Sequence, residues 1–226
     1  MRMTPIAGPR WLYLHGFASG PESSKGVALS EHYAQRGISL SRLNLRVPSL
    51  EHLRFSDMLR TVREAIGGEE DRAIVFGSSL GALTACRVAE RDARICALVL
   101  LAPAFSIAPR WRKRLGEDEW RRWEREGYLE IDDHAERRRA RIHFDFIREL
   151  ETLDARGDGW PDVRVPVLII HGVRDDVASI ELSRTWAEGK RHVRLIEVDD
   201  GHELVASLPR IRTEADAFLS GFTSPP

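Results

Sequence analysis

Residues 76–81, FGSSLG, match the pattern G-x-S-x-G and decide the fold. The apolar residues 73–76 before them predict a buried strand, and residues 80–91 after them have the spacing of a helix. A serine at this pattern between a strand and a helix lies on a sharp turn that exposes its hydroxyl above the sheet edge. The helix that follows directs unpaired N–H groups toward the same place. The stretch therefore predicts an α/β sheet with Ser79 as a nucleophile.

Short apolar runs alternate with helical patterns along the rest of the chain. We expect six strands, at residues 11–15, 38–47, 73–76, 95–101, 165–171 and 193–198. Helices are expected at residues 27–36, 55–66, 80–91, 180–188 and 208–219. Strands that are apolar throughout and separated by helices are typical of a parallel sheet covered on both faces. The pattern predicts a mostly parallel sheet of about six strands flanked by helices.

Residues 104–160 interrupt this alternation and contain no convincing strand. They hold four of the six tryptophans, with 13 basic and 14 acidic residues. One interpretation is a solvated helical excursion with paired charges. We favour a helical cap, because four tryptophans carry too much apolar surface to leave in water. The predicted organisation is a core of residues 1–103 and 161–226 with a helical cap insertion at 104–160.

The composition excludes several classes of protein. With 34 basic and 35 acidic residues among 226, the net charge of −1 provides no field that would attract nucleic acid. No stretch reaches the ~18 apolar residues of a membrane span, and the start of the chain has no apolar run of signal-peptide length. Cys86 and Cys96 lie in apolar stretches that are typical of reduced core thiols. We expect a cytoplasmic protein without disulfides, and its oligomeric state stays open.

A nucleophilic serine needs a base, and His202 is the strongest candidate among eight histidines. It follows the last predicted strand, at the sheet edge where ligands bind in open α/β folds. His15 and His171 end strands and precede glycines, so we expect them to be structural histidines near the cleft. The other five lie in helical or polar stretches and are expected at the surface.

The base needs a carboxylate that orients it, and the loop after the fifth predicted strand offers Asp175 and Asp176. We favour Asp175 and keep Asp176 as the alternative. The resulting order, Ser79 then Asp175 then His202, is the order expected for a hydrolase with this serine motif. Ser78 is a competing hydroxyl, but the spacing predicts that its side chain points away from the cleft.

A hydrolase of this kind also needs two N–H donors for the oxyanion. Gly16 allows the chain to turn after the first strand, so that the N–H of Phe17 can face the pocket. The N–H of Leu80, at the start of the helix after Ser79, is the second candidate. Each such donor typically contributes ~3 kcal/mol of transition-state stabilisation. A tight turn without chemistry is the simpler interpretation of this loop, and both can hold.

The motifs LYLHGF, GSSLG, HGVRDD and DGH, in this order, resemble the α/β-hydrolase superfamily over nearly the whole chain. The opening YLHGFASGPESSKG is similar to the YqiA-like bacterial esterases. The stretches GSSLG, HFDFIRELE and LIIHGVRDDV are also similar to the abhydrolase-domain thioesterases that remove fatty acyl groups from protein cysteines. The resemblance implies no cofactor, no metal and acyl transfer through a serine ester. It assigns the roles of nucleophile, acid, base and oxyanion donors to Ser79, Asp175, His202, Phe17 and Leu80.

Together these observations predict a serine hydrolase that cleaves a small-molecule carboxylic ester or thioester through an acyl-enzyme on Ser79. One alternative is a small-peptide or amide hydrolase of the same fold, which would need an anchor for a free amine. The other is a non-catalytic binding protein that retains the fold, although an intact order of the three residues argues against it. The long segment 104–160 departs from the compact YqiA-like pattern, so the acyl length and the leaving group stay open.

Overall fold

The computed structural model describes residues 8–155, 157 and 159–223. Residues 1–7, where no signal peptide is expected, lie outside the described residues, as do 156 and 158 of the predicted cap and 224–226 of the predicted core. The strands are β1 (Arg10–Leu14), β2 (Leu40–Leu43), β3 (Ala73–Ser78), β4 (Ile95–Leu101), β5 (Tyr128–Asp133), β6 (Arg138–His143), β7 (Val167–Gly172) and β8 (Val193–Val198). The helices are α1 (Ser24–Ala34), α2 (Phe55–Ile66), α3 (Leu80–Ala89), α4 (Ile107–Leu115), α5 (Glu117–Glu126), α6 (Asp145–Asp154), α7 (Ile180–Ala187) and α8 (Leu208–Thr223).

Six strands form one parallel sheet in the order β2-β1-β3-β4-β7-β8. All six were predicted, because each is a short apolar run between helical patterns. The chain runs from β1 outward to β2 and then returns to β3 on the other side of β1. Ligands bind at such a reversal of strand order, beyond the carboxyl ends of the strands. The loops after β1 and β3 meet at this point.

Two apolar layers hold the sheet. On one face, α2, α3 and α7 pack with residues of the 104–160 segment, through side chains that include Met58, Leu83 and Trp186. On the other face, α1 and α8 pack through side chains that include Leu29 and Ile211. The central strand β3 is buried along its whole length. Coverage on both faces explains why the strands are apolar throughout rather than alternating.

The expectation that residues 104–160 lack strands was wrong. Between α5 and α6 the chain forms an antiparallel hairpin of β5 and β6. Its sequences, YLEIDD and RRARIH, are short and charged, and most of their side chains are exposed or half-buried. A hairpin with little apolar content lacks the signal of a buried strand. The segment is therefore mixed, with α4, α5 and α6 around a two-stranded unit.

A helix must be long and apolar to cross a membrane. Within the described residues, no helix has the length and apolar character needed to cross a membrane.

Cys86 and Cys96 are free thiols. Cys86 is fully buried in α3, and this burial raises the pKa of its thiol far above the ordinary range. An inert buried thiol agrees with the predicted core role.

Candidate active site

Ser79 lies on the turn between β3 and α3 with φ of 54° and ψ of −115°. This left-handed backbone is costly for a residue with a side chain. The two flanking glycines allow the turn to close. A Cβ atom on Gly77 would lie 2.6 Å from Cα of Ala82, and one on Gly81 would overlap the carbonyl oxygen of Leu14. Both glycines of the sequence pattern thus have a steric cause.

Three residues from three separate loops meet at the carboxyl edge of the sheet. Oγ of Ser79 lies 3.0 Å from Nε2 of His202, and Nδ1 of His202 lies 2.7 Å from Oδ2 of Asp175. With the proton assigned to Nδ1, which faces the carboxylate, Nε2 is left to accept the serine proton. These are the three residues that the sequence singled out for nucleophile, base and acid.

The Asp175 carboxylate is fully buried and held by four donors. Its Oδ1 accepts hydrogen bonds from the N–H groups of Val177 (2.9 Å) and Ala178 (2.7 Å), while its Oδ2 faces His171 and His202. Burial alone would raise the pKa of Asp175, but the hydrogen bonds from the two imidazoles and the backbone outweigh it and hold the pKa well below its ordinary value. The carboxylate therefore stays ionised at acidic pH.

His171, at the end of β7, is a second imidazole on the same carboxylate. Its Nε2 faces two acceptors, Oδ2 of Asp175 at 3.1 Å and the carbonyl oxygen of Ala178 at 2.8 Å. The proton is therefore assigned to Nε2, and Nδ1 accepts from the hydroxyl of Ser183 at 2.8 Å. The side chain is fully buried. This contact gives a physical role to a histidine that the sequence predicted to be structural and near the cleft.

The competing candidates lie elsewhere. Asp176 is exposed to solvent, in contrast to the buried carboxylate of Asp175. Ser78 is buried and hydrogen-bonds the Tyr13 hydroxyl, whereas it is Ser79 that contacts His202. Asp200, the acid two residues before His202, accepts instead from the N–H groups of Gly201 and Ser207.

The loop after β1 brings Gly16 and Phe17 against the nucleophile. A Cβ atom on Gly16 would lie 3.3 Å from Cβ of Ser79, so a bulkier residue would crowd the serine. Leu80 is the first residue of α3, and its N–H has no partner within the helix because the first four N–H groups of a helix never do. The N–H groups of Phe17 and Leu80 are thus on the two loops that border Oγ of Ser79. Their role as oxyanion donors stays a prediction.

His15, at the end of β1, holds the same loop. Its Nδ1–H donates to the carbonyl oxygen of Gly16 at 2.9 Å, and its Nε2 accepts from the N–H of Leu45 at 3.0 Å. Burial lowers the pKa of His15, which keeps the imidazole neutral and able to accept the bond from Leu45. A neutral, doubly bonded histidine fixes the turn that leads to Phe17.

The 104–160 segment contacts the site at several points. The N–H of Ala104 donates to the carbonyl oxygen of Ser79 at 3.2 Å. At the hairpin, the N–H of Ala135 donates to the carbonyl oxygen of Ala18 at 3.1 Å, next to the predicted oxyanion loop. The Phe17 ring packs edge-on against Trp111 of α4, with ring centres 4.9 Å apart, and it stacks on Phe146 of α6 at 5.8 Å.

Two of the four tryptophans of this segment are core residues, and a third, Trp111, borders the predicted oxyanion loop. Trp120 and Trp123 are only 3% and 1% exposed and pack edge-on against Phe144, so they belong to the core rather than to a pocket wall. Trp111 is half-buried and contacts Phe17 directly. Of these three tryptophans, Trp111 is therefore the one that borders the predicted oxyanion loop, and Phe146 also packs on Phe17 there.

Arg110 was not among the predicted site residues. Its Nε–H donates to the carbonyl oxygen of Phe105 at 3.0 Å, and its Nη1 donates to the carbonyl oxygen of Val177. Burial lowers the pKa of this guanidinium, and the nearby Asp175 carboxylate opposes the effect. Arg110 thus joins α4 to the loop that carries Asp175. No local signal distinguishes it among 31 arginines, so only the fold identifies it.

A metal ion in a protein is typically held by a group of histidine, cysteine or acidic side chains. No cluster of three or more histidine, cysteine or acidic side chains that could hold a metal ion occurs among residues 8–155, 157 and 159–223. The two histidines on Asp175 share one carboxylate oxygen through hydrogen bonds. The site is an arrangement of proton donors and acceptors around a strained serine.

Comparison with protein families identifies the chain. The family described as "Uncharacterised protein family (UPF0227)" matches residues 10–218. The chain belongs to the UPF0227 family. This match covers every strand of the UPF0227 sheet and all three residues that meet at its edge. No curated protein sequence matches the UPF0227 chain.

Solved structures resemble the UPF0227 chain in fold. Alpha/beta hydrolase domain-containing protein 10 from mouse has a TM-score of 0.73 at 20% identity, over 96% of this chain and 92% of that chain. Est1E from Butyrivibrio proteoclasticus, solved with ferulic acid, has a TM-score of 0.73 at 20% identity, over 97% and 91%. The esterase domain of a Rhodothermus marinus protein has a TM-score of 0.67 at 19% identity, over 98% and 90%. The predicted α/β-hydrolase fold is confirmed.

Proposed function

We propose that this UPF0227 protein is a serine hydrolase that cleaves a carboxylic ester or thioester through an acyl-enzyme on Ser79. One observation carries the proposal. Ser79, on a strained turn, has its Oγ 3.0 Å from an imidazole nitrogen, and the other nitrogen of that imidazole lies 2.7 Å from the buried carboxylate of Asp175. A nucleophile, a base and a group that orients the base, each within hydrogen-bond distance, are the requirements for acyl transfer.

Acylation begins when Oγ of Ser79 attacks the carbonyl carbon of the substrate. Nε2 of His202 accepts the hydroxyl proton as the new carbon–oxygen bond forms. The carboxylate of Asp175 stabilises the imidazolium and holds the tautomer, and it does not itself become protonated. Its depressed pKa suits this role. The imidazolium then gives its proton to the leaving alcohol or thiol as the bond to the acyl carbon breaks.

The developing oxyanion is bound by backbone donors. The N–H groups of Phe17 and Leu80 are the donors that the loop arrangement favours, because Gly16 borders Cβ of Ser79 and Leu80 begins α3. The amino end of α3 adds a favourable dipole. Donors fixed in advance cost no reorganisation during the reaction, which makes such a hole a large contribution to catalysis.

Deacylation repeats the same proton transfers with water. His202 removes a proton from a water molecule, which attacks the acyl carbon of the serine ester. The proton then passes from His202 to Oγ of Ser79 as the ester bond breaks, and the carboxylic acid leaves. The carboxylate of Asp175 stays ionised throughout the cycle. The cycle needs no group beyond the three side chains, the backbone donors and water.

We further propose that residues 104–160 act as a cap on the core formed by residues 1–103 and 161–226. The contacts of Ala104 with Ser79 and of Ala135 with Ala18 support this division, because they join the segment to the nucleophile and to the oxyanion loop. The half-buried Trp111 beside Phe17 offers an aromatic wall for an apolar acyl group. The names of two similar structures, one solved with ferulic acid and one an esterase domain, agree with a small ester substrate.

Hydrolysis of chromogenic acyl esters and thioesters tests the proposal. We expect turnover by the wild type and a loss on the order of 10³-fold or more in Ser79→Ala, since removal of one member of such a triad removes nearly all catalysis. Ser78→Ala is the matched control and is expected to keep most of the activity. Equal turnover by wild type and Ser79→Ala would overturn the assignment. Turnover of amides in preference to both ester classes would move the protein to the amide hydrolases.

A further inference from the structure

Lys25 stands out in the molecule because it is a buried lysine in a chain that otherwise uses arginine. Only three of the 34 basic residues are lysines, and Lys25 is 5% exposed. It lies in the first turn of α1, on the opposite face of the sheet from α3. Burial of an ammonium group is unfavourable unless hydrogen bonds compensate for the lost water. The position therefore calls for an explanation.

The ammonium group contacts the residue that follows the proposed base. Nζ of Lys25 donates to the carbonyl oxygen of Glu203 at 2.8 Å and lies 3.2 Å from Oε2 of the same residue. The two residues are 178 positions apart in the sequence. The Glu203 side chain is 74% exposed, whereas the Lys25 side chain is 6% exposed. An ammonium group concentrates its charge on one small atom, which fits a single carbonyl in a tight space better than a guanidinium fork does.

Hydrogen bonds hold the loop that carries His202 on both sides of this residue, and Lys25 provides the one that follows it. Before His202, the Asp200 carboxylate accepts from the N–H groups of Gly201 and Ser207, at 2.8 Å and 2.9 Å. After His202, the Glu203 carbonyl is held by Lys25. The imidazole thus sits on a short segment whose backbone is fixed on each side.

The support for Lys25 is itself rigid. The next residue, Gly26, packs on the Tyr13 ring so closely that a Cβ atom there would lie 2.7 Å from the ring. The hydroxyl of Tyr13 contacts Ser23 and Ser78, and Ser78 directly precedes the proposed nucleophile. The start of α1 is therefore anchored on the strand next to β3, and through Lys25 it reaches the loop of the base.

We propose that Lys25 is a positioning residue, which holds the Glu203 carbonyl so that the His202 imidazole is aligned between Ser79 and Asp175. This inference rests on the proposed function for its kinetic consequence. Lys25 acts through the backbone of the His202 loop and not by contact with the substrate. Misplacement of a catalytic group by about 1 Å can cost on the order of 10²-fold in rate. Loss of the hydrogen bond from Lys25 should therefore lower turnover without weakening substrate binding.

The test compares Lys25→Met with two controls. Methionine keeps the length and apolar stem of lysine and removes the ammonium group. Lys190→Met is the matched control, because Lys190 also donates from Nζ to a backbone carbonyl, that of Trp186. Lys190 precedes β8, whereas His202 follows it, so Lys190 lies at the amino end of this strand and away from the loop of the base. Glu203→Gln removes the exposed carboxylate and keeps the carbonyl. We expect kcat to fall by about 10- to 100-fold in Lys25→Met with KM within about twofold, and both controls to stay within about twofold of wild type.

A second readout does not depend on turnover. We expect the proton between Nδ1 of His202 and Asp175 to give a low-field signal in proton NMR, which Asp175→Asn would assign by removing it. We expect this signal to be lost or broadened in folded Lys25→Met and to remain in Lys190→Met. If Lys25→Met does not fold, Lys25→Gln, which keeps a donor without the charge, is measured in the same way. We expect its kcat and its signal to be lower than those of wild type, and values equal to wild type would overturn the inference.

The outcomes separate this inference from the proposed function. Loss of the signal and of kcat in Lys25→Met supports the positioning role. Loss of the signal in a protein whose wild type turns over no ester supports the positioning role and counts against the proposed function instead. An unchanged signal and unchanged kcat in folded Lys25→Met would overturn the inference, and so would an equal loss in Lys190→Met.

Discussion

Nε2 of His171 lies 3.1 Å from Oδ2 of Asp175, the same oxygen that faces His202. The carboxylate therefore bonds a second imidazole, whose other nitrogen faces the hydroxyl of Ser183. Because His171 also donates to the carbonyl of Ala178, it fixes both the carboxylate and the turn that bends around it. Two backbone donors complete the shell on the other oxygen. Such a fully bonded, buried carboxylate is suited to hold an imidazole in one orientation.

Replacement of Asp175 by asparagine should cost far more activity than the same change at Asp176. Asparagine keeps the shape, but it cannot stabilise an imidazolium and it can favour the wrong tautomer, a change that lowers turnover by ~10⁴-fold in one well-studied triad. Asp176 is exposed and serves as the matched control. The measurement is kcat/KM for both variants on one short ester. The opposite ranking would assign the orienting role to Asp176.

The pH dependence of kcat/KM should show an ascending limb near neutral pH. The base must be neutral to accept the serine proton, and an ordinary imidazole titrates near pH ~6.5. The pKa of Asp175 is held well below its ordinary value, so this carboxylate stays ionised across the limb and does not produce it. Activity is therefore expected to fall below neutral pH and to hold into mildly alkaline pH. A maximum near pH ~4 would indicate a carboxylate base and a different mechanism.

The ion pair between Arg46 and Asp133 should make the hairpin sensitive to acid. Its two N–O contacts are both 2.7 Å, and the carboxylate is fully buried. The hydrogen bonds from Arg46 lower the pKa of Asp133 from 3.8 to about 2. Since the folded pKa lies below the unfolded one, the stabilisation is fully present above about pH 4 and is lost as the pH falls toward 2.

Urea unfolding of Asp133→Asn at a series of pH values measures this effect. We expect the free energy of unfolding to fall by about 3 kcal/mol at neutral pH, which is typical when one partner of a buried pair is removed. The difference from wild type should shrink as the pH approaches 2. Asp132→Asn, on an exposed pair with Arg139, is the control and should change the free energy by less than about 1 kcal/mol. A difference for Asp133→Asn that does not vary with pH would contradict the account.

The aromatic contact between Trp111 and Phe17 should set the preferred acyl length. If an acyl chain packs there, each buried methylene adds up to ~0.8 kcal/mol, or about fourfold in kcat/KM, until the site is full. We expect kcat/KM to rise along acetyl, butyryl, hexanoyl and octanoyl esters and then to level off, with the optimum shifted in Trp111→Ala. Trp120→Ala, at a core position, should lower stability and leave the shape of the series unchanged. A flat series in wild type would mean that residues 104–160 cover the core without selecting the acyl length.

Much of the sheet and the loop order could be predicted because the signals are local. The six strands are short apolar runs, and the G-x-S-x-G pattern around Ser79 is contained within residues 76–81. The sequence favours Asp175 as the orienting acid but does not exclude Asp176. The burial of one carboxylate and the exposure of the other depend on how the loop folds.

The features that escaped prediction are long-range or carry a weak signal. Half of the residues of β5 and β6 are charged, and the connection at 134–137 has four residues. The hairpin therefore lacks both an apolar run and the short turn motif of a hairpin. The contacts of Lys25 with Glu203 and of Arg110 with Val177 join residues 178 and 67 positions apart. Contacts over such separations follow from the packing of helices on the sheet and leave no periodicity in the sequence.

The most direct test of the central claim is the site of covalent capture by a fluorophosphonate probe, which reacts with an activated serine. Intact-mass and peptide-mapping mass spectrometry of the labelled wild type should give one adduct, on Ser79, and the adduct should be absent from Ser79→Ala. Labelling should also weaken in Asp175→Asn, since the base is then misoriented. An adduct mapped to Ser78, or equal labelling of Ser79→Ala, would contradict the account.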